Sequence, residues 1–306
     1  MVAAELSHPL LAEPVKIANI TSPSGALVKL AYEQKLFNAV GLKELEVVPY
    51  RMGRDGLKAL LAGEVDLAIA YDTPILAAAR KRAPIKILTA VHTSRRDMAV
   101  LVPKAVQHPS DLKGKTIGFD FGTSADYFFN LFLRRHGLNK RDVKVRNIHA
   151  DSLVNAVKSK RIDAAVARYP GFDGLKELGM NAFDLDIYQS TVFLVATNKF
   201  IDENPNKVTS VLRALRKAED YFYENPRRGW SAICQDEAGV NVYACNTIPT
   251  RSIFRLRVEL TNMALSALET QNSLTDYGPK TIAQFNVREL IEPKFLKSIC
   301  GECVLF

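Results

Sequence analysis

The sequence predicts an α/β fold of two related lobes, each a mostly parallel sheet flanked by helices. Three observations lead there. The chain has 306 residues, about twice the ~150 of one ordinary domain. Short β-rich runs alternate with helical patterns across short loops, over the first hundred residues and then again, the order that builds βαβ units. One αβ unit recurs: Leu60-Leu-Ala-Gly-Glu-Val-Asp-Leu-Ala-Ile69 and Val157-Lys-Ser-Lys-Arg-Ile-Asp-Ala-Ala-Val166 both end a helix, turn tightly and enter a strand through apolar-Asp-apolar.

Val15–Ile20 alternates as a strand and stops at Thr21-Ser-Pro-Ser-Gly25. Leu27, Leu30, Ala31 and Leu36 then keep helical spacing as far as Gly41. Leu45–Tyr50 reads as a second strand, and Leu57, Leu60 and Leu61 mark a helix closed by Gly63. Val65–Tyr71 is a third strand, after which Asp72-Thr-Pro74 opens a helix with proline in its first turn. Ile85–Val91 and Met98–Val102 follow as strands four and five.

The second unit repeats this order. Thr116–Asp120 is a strand, and Gly122-Thr-Ser-Ala125 opens a helix through Tyr127, Leu131, Phe132 and Leu133 that ends near His136-Gly137. Strands Val143–Ile148 and Ile162–Ala167 flank a helix capped at Asp151-Ser152. Tyr188–Thr197 is a longer apolar strand. From Asn204 helices dominate: one starts at Pro205, another covers about Arg251–Thr270, and a short segment near Thr281–Phe285 leads into a tail.

Composition narrows the function. Apolar residues at 47% and charged residues at 24% exclude collagen-like, low-complexity and disordered chains. The longest run without Asp, Glu, Lys or Arg, Ala238–Thr250, is too short and too polar to span a bilayer. A net charge of +8 suits either an anionic partner or simple solubility. The basic residues are spread along the chain with no basic arm, so no nucleic-acid partner is expected. His8, His92, His108, His136 and His149 lack metal-binding spacing, and no GxSxG elbow occurs. No catalytic residue, metal or cofactor is therefore expected. Cys234, Cys245, Cys300 and Cys303 leave three readings open: two disulfides, free thiols, or a zinc or redox site. The short loop between Cys234 and Cys245 favours their pairing, with Cys300 and Cys303 paired together or free.

Four segments carry a family resemblance: Leu57–Ala70, Pro109-Ser-Asp-Leu-Lys-Gly-Lys-Thr-Ile-Gly118, Gly122-Thr-Ser124 and Ala156–Val166. Their order and spacing resemble the substrate-binding proteins of ABC importers, in the type II periplasmic-binding fold. The similar subgroup takes up nitrate, sulfonates, taurine and thiamine precursors, and the resemblance covers about Val15 to Leu265. It implies two crossings between lobes, near Leu101–Val102 and Leu194–Val195. Lobe I is then 15–101 plus 195–275, lobe II is 102–194, and 276–306 is a C-terminal tail packing on the lobes. It also implies a monomer that captures a small organic anion, sulfonate- or carboxylate-like, and delivers it to a membrane permease. Two alternatives share the fold: the sensing domain of a receptor, and a thiamine-pyrimidine-synthase-like enzyme. The enzyme group's cysteine- and histidine-rich motif is missing from the middle of this chain. The N-terminus lacks a basic n-region and a long apolar h-region, so either the protein is cytosolic or a signal peptide has been removed; the resemblance implies the second, a periplasmic or extracytoplasmic protein.

Site candidates lie where strands hand over to helices. Ser22 and Ser24 follow the first strand, where hydroxyls and helix N–H groups hold an anion or merely cap a helix. Asp72 and Thr73 follow the third; Asp72 would receive a ligand amine or ring N–H, or only stabilise its turn. Thr93 and Arg95 end the fourth, where a guanidinium offers a planar fork to an oxyanion. Gly122, Thr123 and Ser124 form the strongest local site, with close backbone approach and hydroxyls at a helix start. The resemblance adds Arg168, to pair an anion, and Tyr169, to stack or hydrogen-bond.

Overall fold

The computed structural model describes residues 14–168, 171–184, 186–234, 253–273 and 285–306. The first lobe begins with β1 (Val15–Ile20), a 3-10 turn at Pro23–Gly25, α1 (Ala26–Glu33), α2 (Leu36–Ala39) and β2 (Leu45–Tyr50). It continues through α3 (Gly53–Ala62), β3 (Leu67–Tyr71), α4 (Asp72–Arg80) and β4 (Ile85–Arg95). The second lobe comprises β5 (Met98–Val102), β6 (Thr116–Phe119), α5 (Ser124–Arg135), β7 (Lys144–Asn147), α6 (Leu153–Lys158), β8 (Ala164–Arg168), α7 (Gly171–Glu177) and β9 (Asn181–Phe183). The chain returns through β10 (Gln189–Thr197), α8 (Asn198–Glu203), α9 (Pro205–Glu224) and α10 (Pro226–Cys234). It closes with β11 (Ile253–Arg255), β12 (Leu260–Thr261), α11 (Asn262–Ser273), α12 (Lys294–Ile299) and β13 (Val304–Leu305).

The two main sheets have strand orders β11-β4-β10-β3-β1-β2 and β7-β6-β8-β5-β9. Strands β1 to β4 run one way in the first, with β10 inserted antiparallel between β3 and β4. Strands β6 to β9 run one way in the second, with β5 antiparallel between β8 and β9. Each sheet is thus mostly parallel, broken by the strand that follows a crossing. The crossings come earlier than the sequence suggested. β4 stays in the first sheet to Arg95 and β5 enters the second at Met98, while the return lies between Phe183 and Gln189. Leu101 and Leu194 are interior residues of β5 and β10. Both are apolar runs with nothing local to mark which sheet they join.

The recurring αβ unit has a structural cause. Gly63 ends α3 at φ 76°, and its counterpart Lys160 adopts φ 56° after α6, the left-handed turn that reverses the chain. The aspartate that follows then serves the neighbouring strand. Asp66 accepts the Lys16 N–H at 2.8 Å, and Asp163 accepts the Thr116 N–H at 2.7 Å. Each carboxylate satisfies a backbone donor at the start of a parallel pair, where ladder partners run out.

Side-chain alternation divides the second lobe into two cores. Met98, Val100, Val102, Ala164 and Val166 face the α5 layer of Phe128, Phe129 and Phe132. Ala99, Leu101, Ala165 and Ala167 face Leu153, Ala156, Phe172 and Leu175 of α6 and α7. Period-two alternation on a sheet covered on both faces requires this split. In the first lobe, α9 buries Val208, Val211, Leu212, Leu215, Ala218 and Phe222 at helical spacing. Glu219, also buried, accepts from Arg216 at 2.6 Å, Arg257 at 2.7 Å and the Val258 N–H at 2.8 Å.

The expected helix over Arg251–Thr270 starts only at Asn262, because Ile253–Arg255 pairs with the end of β4 as β11. Most of the segment near Thr281–Phe285 lies outside the described residues. Residues 285–306 lie against the first sheet, where Glu292 donates its N–H to the Ile87 carbonyl and Phe295 and Leu296 enter the core. Cys300 and Cys303 form a disulfide there. Cys245 lies outside the described residues, and with it the pairing to Cys234. Among the described residues no helix is long and apolar enough to cross a membrane.

Candidate ligand site between the lobes

Chain order reverses between β1 and β3 in the first sheet and between β6 and β8 in the second. Ligands of open α/β sheets bind outside the strand ends at such points. Here the two switch points face each other, and the residues that follow all four strands meet. Ser24, after β1, lies 2.6 Å from the Tyr71 hydroxyl at the end of β3. The Arg168 guanidinium, at the end of β8, lies 4.1 Å from the centre of the Tyr71 ring. It also donates to Ser124, in the first turn of α5 after β6, at 3.1 Å. One cation therefore touches both lobes and an α-helix N-terminus.

Asp97, in the first crossing, is 3.4 Å from Arg168 and accepts from Ser94 at 2.6 Å. Ser94 is also 2.9 Å from Ser190, in the returning strand β10. Desolvation alone would lower the Arg168 pKa, but Asp97, the Tyr71 ring, Tyr188 and Asp72 raise it above the ordinary arginine value, so it stays charged. Burial raises the Tyr71 hydroxyl against the lowering effect of Arg168.

Asp72 is 3% exposed and its oxygens are taken. Tyr188 approaches them at 2.5 and 2.7 Å, and the Thr73 and Thr191 N–H groups donate at 2.7 and 3.3 Å. Burial pushes its carboxyl above the usual range, opposed by these hydrogen bonds and by Arg168. Thr73 accepts from Gln271 at 2.6 Å. Asp72 and Thr73 thus tie α4 to the return crossing and to α11, the turn-stabilising alternative of the sequence reading.

The remaining candidates divide. Arg95 is exposed at the rim of β4, beside Gln189 and Ile253, away from the Arg168 cluster. Thr93 pairs with Thr191 and Arg255 within the sheet and is half-buried. Ser22 precedes the 3-10 turn without a side-chain cap bond. Gly122 is exposed at φ 70° and turns the chain into α5. Thr123 is the N-cap, accepting from Ala125 at 3.2 Å and donating to the Asp120 carbonyl at 2.7 Å. Tyr169 lies outside the described residues. Ser24, Ser124 and Arg168 are brought together; Arg95 is not.

Sequence reasoning missed Tyr71, Asp97, Asp120, Tyr188 and Arg54. Arg54, in α3, donates to Asp120 at 2.7 Å and to the Phe121 carbonyl at 3.2 Å across the lobes. Arg51 reaches Asp151 at 2.7 Å on the same side. Tyr71 and Asp120 are strand-end residues, so the rule that found Ser24 and Ser124 would have found them. Nothing local marks Arg54 or Asp97.

The sequence profile described as NMT1/THI5 like matches residues 23–229, more than half of the chain. The chain belongs to this family. A provisionally assigned binding protein of Brucella abortus (strain 2308) is 29% identical over 223 residues, covering 70% of this chain and 69% of that protein. The taurine-binding periplasmic protein of Escherichia coli (strain K12) is 21% identical over 226 residues, with 70% and 69% covered. In structure, the alkanesulfonate-binding protein SsuA of Xanthomonas axonopodis pv. citri, bound to MOPS, superposes with a TM-score of 0.72 at 20% identity, covering 92% of this chain and all of that one. The NMT1/THI5-like chain thus has the bilobed type II periplasmic-binding fold.

Proposed function

We propose that this protein is the solute-binding component of an ABC importer, an extracytoplasmic receptor for a small organic compound with a sulfonate- or carboxylate-like group. The supporting observation is Arg168, held between Tyr71 of one lobe and Ser124 of the other. A guanidinium beside a hydroxyl at the N-terminus of a 12-residue helix suits an oxyanion. One relative is named a taurine-binding periplasmic protein, and the Cys300–Cys303 disulfide suits an oxidising compartment. Ligand bound at Arg168 draws the lobes together about the two crossings between the sheets. Closure excludes water and strengthens the few polar contacts. The closed form then presents both lobes to a permease.

Titration calorimetry with a panel of small sulfonates and carboxylates tests this. Arg168→Ala removes the partner of a desolvated anion, so affinity falls by on the order of 30-fold or more. Arg95→Ala, at the exposed rim, leaves it within about twofold. Equal binding by parent and Arg168→Ala would sink the anion assignment.

A further inference from the structure

The second sheet has a basic end. Strands β6, β7 and β8 run parallel, so their last residues lead to the cleft at Asp120 and Arg168 and their first residues lie at the opposite pole. Three turns meet there. The Lys144 N–H donates to the Lys115 carbonyl at 2.8 Å, Gly114 to the Asp142 carbonyl at 2.7 Å, and Asp163 to the Thr116 carbonyl at 2.8 Å. The turns carry Lys113 and Lys115 before β6, Lys144 at the start of β7, and Lys158, Lys160 and Arg161 before β8. All of these cations are exposed, and none has an ion-pair partner among the described residues. The carboxylates beside them are turned to the backbone: Asp163 takes the Thr116 N–H at 2.7 Å, and Asp142 takes the Asn139 N–H at 2.9 Å. In the strand order β7-β6-β8, Lys144, Lys115 and Arg161 form a row across the sheet edge, with neighbouring strands about 4.8 Å apart. Like charges gathered on one rim repel each other and gain nothing within the chain, so the rim fits an outside polyanion. No aromatic residue stands in these turns, and the exposed large side chain of β7 is Val145. The rim thus lacks the stacking platform on which single-stranded nucleic acid is held.

We infer that this pole of the second lobe is a membrane-adhesion surface, whose cations bind the phosphates of an anionic phospholipid bilayer. Each Lys or Arg near such a surface strengthens binding by about fivefold, and the effect fades within a Debye length. Cations on one rim reach the headgroup plane together, which scattered charges cannot do. The pole lies opposite the cleft, so a protein held by it keeps its cleft turned to solution. The assignment goes beyond the receptor reading and does not depend on which solute the cleft takes.

Co-sedimentation with vesicles tests it, comparing phosphatidylcholine alone with phosphatidylcholine that holds about a third phosphatidylglycerol. The full chain is set beside two variants that remove the same charge. One carries Lys115→Gln, Lys144→Gln and Arg161→Gln together, on the rim. The other carries Lys81→Gln, Lys217→Gln and Lys297→Gln, exposed on the first lobe. Circular dichroism confirms that both variants fold. The parent is expected to pellet with the anionic vesicles and not with the neutral ones, and to be released by high salt. The rim variant binds the anionic vesicles about a hundredfold more weakly, and the first-lobe variant stays within about twofold of the parent. Equal loss in both variants overturns the site, because net charge alone then explains the binding. Failure of the parent to prefer anionic vesicles overturns the adhesion surface outright. A DNA duplex that displaces the parent from vesicles at equal phosphate concentration overturns the lipid assignment and gives the rim to nucleic acid.

Discussion

The Tyr188 hydroxyl lies 2.5 and 2.7 Å from the two oxygens of Asp72, joining the return crossing to the first turn of α4. The contact is fully interior, and Tyr127 of the second lobe packs edge-on against the Tyr188 ring with centroids 5.4 Å apart. Asp72 therefore anchors the return crossing to the first lobe.

Tyr188→Phe keeps the ring and removes the donor. The carboxylate keeps its two backbone donors and the Thr73 hydroxyl at 3.2 Å but loses the Tyr188 hydroxyl, at a cost of about 1–3 kcal/mol. Urea unfolding of the unliganded protein reads this as a lower midpoint at unchanged slope. An unchanged midpoint would show that the contact contributes nothing.

Two arginines bridge the lobes with different weight. Arg54 is about a quarter exposed and its partner Asp120 is buried, whereas Arg51 and Asp151 are 79% and 51% exposed in their side chains. Arg54→Ala leaves a buried carboxylate without its cation, a loss of about 2–5 kcal/mol to the closed form. Arg51→Ala changes it by less than about 1 kcal/mol. Small-angle scattering should show a larger radius of gyration for Arg54→Ala alone. Identical profiles for both variants would remove Arg54 from any role in closure.

His92 sets an acid limit. Its pKa falls to about 3, chiefly through burial, with Asp97 opposing and Arg168 adding to the depression. The unfolded chain binds a proton near pH 6.5 that the folded chain refuses. Stability from this group is complete above that pH and is lost as pH falls toward 3, by up to about 1.4 kcal/mol per unit. His92→Gln removes this dependence. Thermal midpoints from roughly pH 7 to roughly pH 4.5 should drop less steeply in the variant than in the parent; parallel curves would contradict it.

Asp66 and Asp163 show how much was local. Each stands in an apolar-Asp-apolar turn whose role depends only on the strand beside it, so the repeated αβ unit was readable from pattern. The resemblance supplied Arg168, while Ser24 and Ser124 were readable for a related reason. They follow strands, and strand ends at switch points are where ligands bind. Arg95 met the same rule and lies outside the cluster, because period-two alternation turns its side chain to the face opposite Ser94, where it is exposed.

The sequence by itself determined the alternation of strands and helices, the repeated lobe and the strand-end positions that could hold a ligand. Periodicity and turn chemistry act over a few residues, and those residues are adjacent in the chain. Tertiary structure decided which sheet Met98–Val102 and Gln189–Thr197 join, which arginine faces inward, and that Asp97 stands beside Arg168 while Arg54 meets Asp120. Arg54 and Asp120 are 66 residues apart in sequence. Long-range pairing of charges depends on how two lobes face each other, and no local pattern records that.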